Sequence, residues 1–227
     1  FLDLFDPKSD QKGQESVPQS NTKMITIVGE VETTTVIKKS RFIGFACAVN
    51  DEAHAQEIIS ARKKQHYDAS HNCFAFVLEN GVMRYSDDGE PQGTAGLPML
   101  DVIRKKGLTD VLVVSTRYFG GTLLGAGGLV RAYTGSAASA LDVAQKIEVI
   151  TCNVFKTTFS YTDWSKAQKR LEERGFMVGN LDFSDTVQAS LSAMPGSESE
   201  LEKLVTSVSL GKSTLSPQGT QKIERKI

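Results

Sequence analysis

Apolar and polar positions along the chain fall into short segments with two different periods. Residues 31–37 and 41–49 read as two strands joined by Lys38–Ser40, after a first β-like stretch that opens at Met24. Residues 52–65 predict an amphipathic helix. Residues 72–79 and 81–86 predict a hairpin around Asn80-Gly81, because Asn-Gly between two apolar runs suits the positive φ of a tight turn. A helix over 97–106, a strand over 110–116 and a helix led by glycines and reaching about 143 follow. The run Val111-Leu-Val-Val-Ser115 is apolar and rich in β-branched residues, as a short buried strand is.

The rhythm changes after Ala144. Strand 147–161, helix 163–174 ending at Gly175, strands 176–183 and 186–194, helix 197–208 and strand 213–225 spell β-α-β-β-α-β, the ferredoxin-like order. Asp163 and Ser197 stand where N-caps belong, and Ser197 with Glu200 has capping-box spacing. Trp164 either packs at a helix start or offers its indole for stacking. The pattern predicts an α+β protein of two units, 24–145 and 146–227. Residues 1–23 are polar without a sustained period and read as a disordered or extraneous leader.

The segment from Arg117 to Tyr133 strings Gly120, Gly121, Gly125, Gly127 and Gly128 between a strand end and a helix start. Backbone N–H groups are free there and the helix dipole is positive, so the loop suits a phosphate or carboxylate. A P-loop is excluded because Leu129 follows Gly128, and a dinucleotide fingerprint because Val130 stands where its third glycine belongs. Arg131, in the first helical turn, opposes the macrodipole unless an anion sits between it and the loop, and Arg117 lies at the other edge. The alternatives are that the glycines only supply positive φ and close packing, and that Arg117 pairs internally with Asp87, Asp88 or Glu90.

A second loop, from Tyr85 to Pro98, holds those three acids with three glycines and two prolines. Asp87, Asp88 and Glu90 have the chemistry to bind Mg²⁺ or act as acid and base, but Asp and Gly are also what turns use, so no metal and no cofactor is assigned. On a strand His71 and Cys73 point to one face, the placement a Cys–His pair needs; a packed thiol beside a strand-end histidine is the plainer reading. Cys47, Cys73 and Cys152 are too few and too scattered for a disulfide framework or a zinc site.

The segments 87–100 and 116–133, with His71-Asn-Cys-Phe-Ala75 upstream, resemble the signature segments of the IMPACT (YigZ-like) family, in its bacterial form. The resemblance implies an amino-terminal domain like the second domain of ribosomal protein S5 and a carboxy-terminal ferredoxin-like domain, both akin to domains of the translocation elongation factor. It implies a role around translation, with suspected nucleic-acid binding in the bacterial branch. Eukaryotic relatives regulate translation by binding the activator of the general-control kinase. Their partner-recruiting domain precedes the signature segments, where this chain has about two dozen polar residues, so that activity is not carried over.

At 227 residues, 40% hydrophobic and 23% charged, the composition is that of ordinary globular proteins. No apolar run approaches the roughly 20 residues that span a bilayer, so no membrane role and a cytoplasmic location are expected. A net charge of −1 excludes a global basic field, so any RNA contact is local. Candidate patches are Arg62-Lys-Lys64 with His66, Arg104-Lys-Lys106, and Arg117 with Arg131. With no nucleophile–base pair evident, a non-catalytic module binding RNA, the ribosome or a translation-related protein is preferred. The alternative is an enzyme acting on a phosphorylated or carboxylated small molecule, cradled by the glycine loop.

Overall fold

The computed structural model describes residues 23–227, a mixed α+β fold with two antiparallel five-stranded sheets and five helices. In chain order the elements are β1 (Lys23–Val28), β2 (Glu30–Ile37), β3 (Ser40–Ala48), α1 (Glu52–Gln65), β4 (His71–Val77), β5 (Met83–Ser86), α2 (Gly96–Lys105), β6 (Val111–Tyr118) and α3 (Ala126–Val143). Then come β7 (Gln145–Phe159), α4 (Tyr161–Glu173), β8 (Met177–Phe183), β9 (Val187–Ala193), α5 (Glu198–Ser209) and β10 (Ser216–Lys226). The polar leader lies outside the described residues, except Lys23, which opens β1.

The first sheet runs β2-β3-β6-β4-β5 and is covered on both faces. Alternation explains how a continuous apolar run serves both. Val111 and Val113 of β6 join Cys73, Ala75 and Val77 of β4 in a core beneath α2 and α3. Leu112 and Val114 turn the other way, with Phe76, onto Ala55 and Ile59 of α1. His71 shares the α2/α3 face with Cys73, and the candidate loops belong to that face.

The second half pairs in the order β10-β7-β9-β8, with α4 and α5 on one face through Trp164, Leu171, Leu201 and Leu204. Ala144 separates α3 from β7. β1, counted by the sequence with the first unit, pairs instead with residues 145–150 of β7, while Ile27 enters the first core. Lys222 of β10 reaches Glu79 at 2.6 Å, a second tie between the halves.

One expected N-cap is displaced, and the other holds its position without the capping box. Ser160, extended at φ −67° and ψ 158°, caps α4 by accepting the Asp163 amide, so Asp163 lies inside the first turn. Ser197 precedes α5 but its hydroxyl donates to the Met194 carbonyl at 2.7 Å and forms no capping box; Glu200 faces Arg174 at 3.7 Å instead.

Candidate functional site

The acidic loop is built by its own carboxylates. Asp87 accepts the amides of Gly93 on Oδ2 at 2.8 Å and of Ala95 and Gly96 on Oδ1 at 3.0 and 2.8 Å, so it caps α2 from nine residues upstream. Asp88, at φ 45°, takes Lys63 Nζ and the Asn72 amide, each at 2.6 Å. Burial pushes its carboxyl up, but those two donors outweigh it and hold the group below its usual range. Glu90 is buried, and its Oε1 accepts Arg117 Nη1 and the Tyr133 hydroxyl, each at 2.7 Å. Among the described residues no cluster of three or more His, Cys, Asp or Glu has metal-ligand placement.

Arg117 and Glu90 form a buried ion pair, with side chains 6% and 3% exposed. Such a pair contributes little over an apolar packing of the same volume, but removal of one partner strands the other charge. The guanidinium also reaches Ser40 Oγ at 3.4 Å and stacks 5.4 Å from the Phe119 ring. The internal pairing considered for Arg117 is therefore with Glu90.

His71 has Nδ1 2.8 Å from the Asp88 carbonyl and Nε2 3.8 Å from Glu90 Oε1. Cys73 shares its face but gives its proton to the Asp87 carbonyl at 3.0 Å, and burial pushes the thiol up to about 12. No thiolate nucleophile forms there at neutral pH. Burial, with Cys73 and Glu90 as neighbours, pushes the Tyr133 hydroxyl up as well and keeps it a donor.

The glycine loop is shaped by approach and by handedness. A Cβ on Gly120 would lie 2.0 Å from the Lys39 backbone carbon, so only glycine lets the loop lean on the β2–β3 turn. Gly125, at φ 72°, turns the chain into α3 without any side-chain cap. The first helical bond runs from the Leu129 amide to the Gly125 carbonyl at 2.9 Å, leaving the amides of Ala126, Gly127 and Gly128 without helical acceptors. Arg131 is exposed on that turn, 3.6 Å from where a Cβ on Gly127 would stand.

The two loops border one cleft of ≈ 420 Å³, walled by residues 89–91 and 123–126 with His71, Arg117, Phe119 and Leu129. Of the residues singled out in the sequence, His71, Glu90, Arg117 and Gly125 line it. Asp87 and Asp88 are spent on the loop's own fold, while Gly120, Gly121, Gly127, Gly128 and Arg131 lie beside the cleft without forming its wall. Phe119 and Leu123, 49% and 82% exposed, form an apolar rim that sequence reasoning passed over, as it did Tyr133. Tyr133 carried a signal only as an apolar helix position; its bond to Glu90 spans 43 residues.

The basic patches divide. Arg62 is buried over Phe45 and pairs with Glu32, Lys63 pairs with Asp88, and Lys106 pairs with Asp142. Lys64, Arg104 and Lys105 of those patches are exposed, and further exposed cations lie near the glycine loop: Lys38 and Lys39 in the β2–β3 turn, Arg41 stacked 4.4 Å from the Tyr118 ring, and Arg131. His66 Nδ1 meets the Tyr118 hydroxyl at 3.0 Å, and that hydroxyl donates to Asp68.

Three comparisons bear on this arrangement. A family model described as the Impact N-terminal domain matches residues 38–141, a span that includes both loops and His71. The chain is 40% identical over 186 residues to "IMPACT family member YvyE" of Bacillus subtilis, covering 81% of this chain and 86% of that one. It is 40% identical over 121 residues to "IMPACT family member YigZ" of Escherichia coli, covering 52% and 56%. A solved structure described as "Crystal structure of an hypothetical protein" is 28% identical, with a TM-score of 0.57 over 86% of this chain and 96% of that chain. Among the described residues no helix is long and apolar enough to cross a membrane.

Proposed function

The chain belongs to the IMPACT family, and we propose that it is a non-catalytic, translation-associated module that binds RNA, in the ribosome or free, at the glycine-loop cleft. One observation carries this reading. The signature loops meet at a cleft whose one lining acid, Glu90, is already bonded to Arg117 and Tyr133, while its rim exposes Phe119 and Leu123, and the exposed cations Lys39, Arg41 and Arg131 have no ion-pair partner among the described residues. Such a site recognises a ligand and offers no activated nucleophile. The aromatic rim suits base stacking, and Lys39, Arg41 and Arg131 suit phosphates.

We read the two halves as an S5 domain 2-like unit and a ferredoxin-like unit, divided near Ala144. The β-α-β-β-α-β order and the strand order β10-β7-β9-β8 support the second assignment. A role at translating ribosomes places the protein in the cytoplasm.

Salt titration tests the proposal, because phosphate binding releases counterions and weakens as ionic strength rises. Affinity for unstructured RNA should fall linearly in log–log form. Replacing Lys39 and Arg131 by alanine together should reduce the slope by about 1.4, at about 0.7 per single-strand phosphate contact. No RNA or ribosome binding at low salt, with binding of a phosphorylated metabolite in its place, would move the assignment to an enzyme.

A further inference from the structure

The inner wall of the cleft sets two acceptors, on His71 and Glu90, near one free donor, the Ala126 amide, with Arg117 turned to Glu90 and Ser40. A carbonyl only accepts, so His71 donates Nδ1–H to the Asp88 carbonyl at 2.8 Å, and in the tautomer with that one ring proton Nε2, 3.8 Å from Glu90 Oε1, is an acceptor. Glu90 spends Oε1 on Arg117 and Tyr133, while its Oε2 has no hydrogen-bond partner among the described residues. Those two bonds fix the carboxylate's orientation. The remaining wall is apolar, with Pro91, Phe119, Leu123 and Leu129. Ala126, at the start of α3, lines the same space with an amide that has no helical acceptor.

A complementary ligand is flat and apolar on its faces and carries two adjacent donors, beside an acceptor, on one edge. Guanine has that edge: N1–H and the N2 amine next to O6. Adenine and cytosine each set one amine beside an accepting ring nitrogen, and uracil sets one N–H between two carbonyls. A volume of ≈ 420 Å³ is in the range of small-ligand clefts. We infer that the cleft is a guanine pocket, taking one unpaired base of an RNA strand with its Watson–Crick edge on His71 Nε2 and Glu90 Oε2 and its ring against Phe119. This rests on the RNA reading above and names the base that reading leaves open.

The test keeps the protein unchanged. Fluorescence anisotropy would compare oligouridine strands carrying one central guanosine, inosine or adenosine. Inosine lacks the N2 amine, and its strand should bind about tenfold more weakly, the adenosine strand more weakly still, because a charged acceptor loses its donor. His71→Ala should erase the preference for guanosine and leave the salt slope as it is; if that variant misfolds, the strand comparison still decides. Equal affinity for the three strands overturns the pocket while leaving RNA binding intact. Guanosine monophosphate binding as tightly as the strand overturns its assignment to RNA. Absence of binding by every strand at low salt overturns the parent reading.

Discussion

The acidic loop and the glycine loop border the same cleft and spend their polar groups in opposite ways. In the acidic loop three carboxylates accept seven bonds or ion contacts from within the chain: three amides on Asp87, Lys63 and an amide on Asp88, Arg117 and Tyr133 on Glu90. The glycine loop holds no charge of its own between Arg117 and Arg131, and among the described residues its amides at the start of α3 have no acceptor. One loop is a fixed wall made rigid by internal electrostatics. The other leaves its amides at the helix start without helical acceptors.

The contrast breaks most decisively at the wall. Arg117→Ala should destabilise the fold by about 3–5 kcal/mol, because it leaves Glu90 charged and buried without its partner. Denaturant unfolding measures this, and a loss under about 1 kcal/mol would mean that water reaches the pair. Next in size, Asp87→Ala should cost about 2–3 kcal/mol through three amides left without an acceptor, again read by denaturant unfolding.

Smaller effects follow on the other side. Gly125→Ala should cost about 1 kcal/mol, since an L side chain is strained at its φ of 72°. Arg131→Ala should leave stability within about 0.5 kcal/mol, as an exposed position does, while weakening RNA binding. If it destabilised the protein as much as Arg117→Ala, the division of labour between the loops would fail.

A pH series probes the neighbouring surface. Burial, then the Arg62 charge, holds His66 below the usual histidine range. The unfolded chain therefore takes up the proton first as pH falls. Stability should be full above the ordinary value of about 6.5 and decline as pH falls from there through the folded value. Thermal midpoints at pH 7.5 and 5.5 should differ less in His66→Gln than in the unaltered protein; equal differences would place the effect elsewhere.

The pattern of apolar residues determined the element order, including the Asn80-Gly81 turn and the β-α-β-β-α-β second half, because strand and helix periods are local properties of adjacent side chains. The glycine loop was legible for the same reason, since strand end, glycines and helix start are contiguous. Tertiary structure alone decided which charges remain available. Asp87, Asp88 and Glu90 looked alike in one loop, yet one caps α2, one holds β4 and Lys63, and one binds Arg117 and Tyr133 from two other elements. It also decided that β1 joins β7, more than a hundred residues away, in the second sheet. Pairings of that span depend on which surfaces the packed sheets bring together, and no spacing within a segment encodes them.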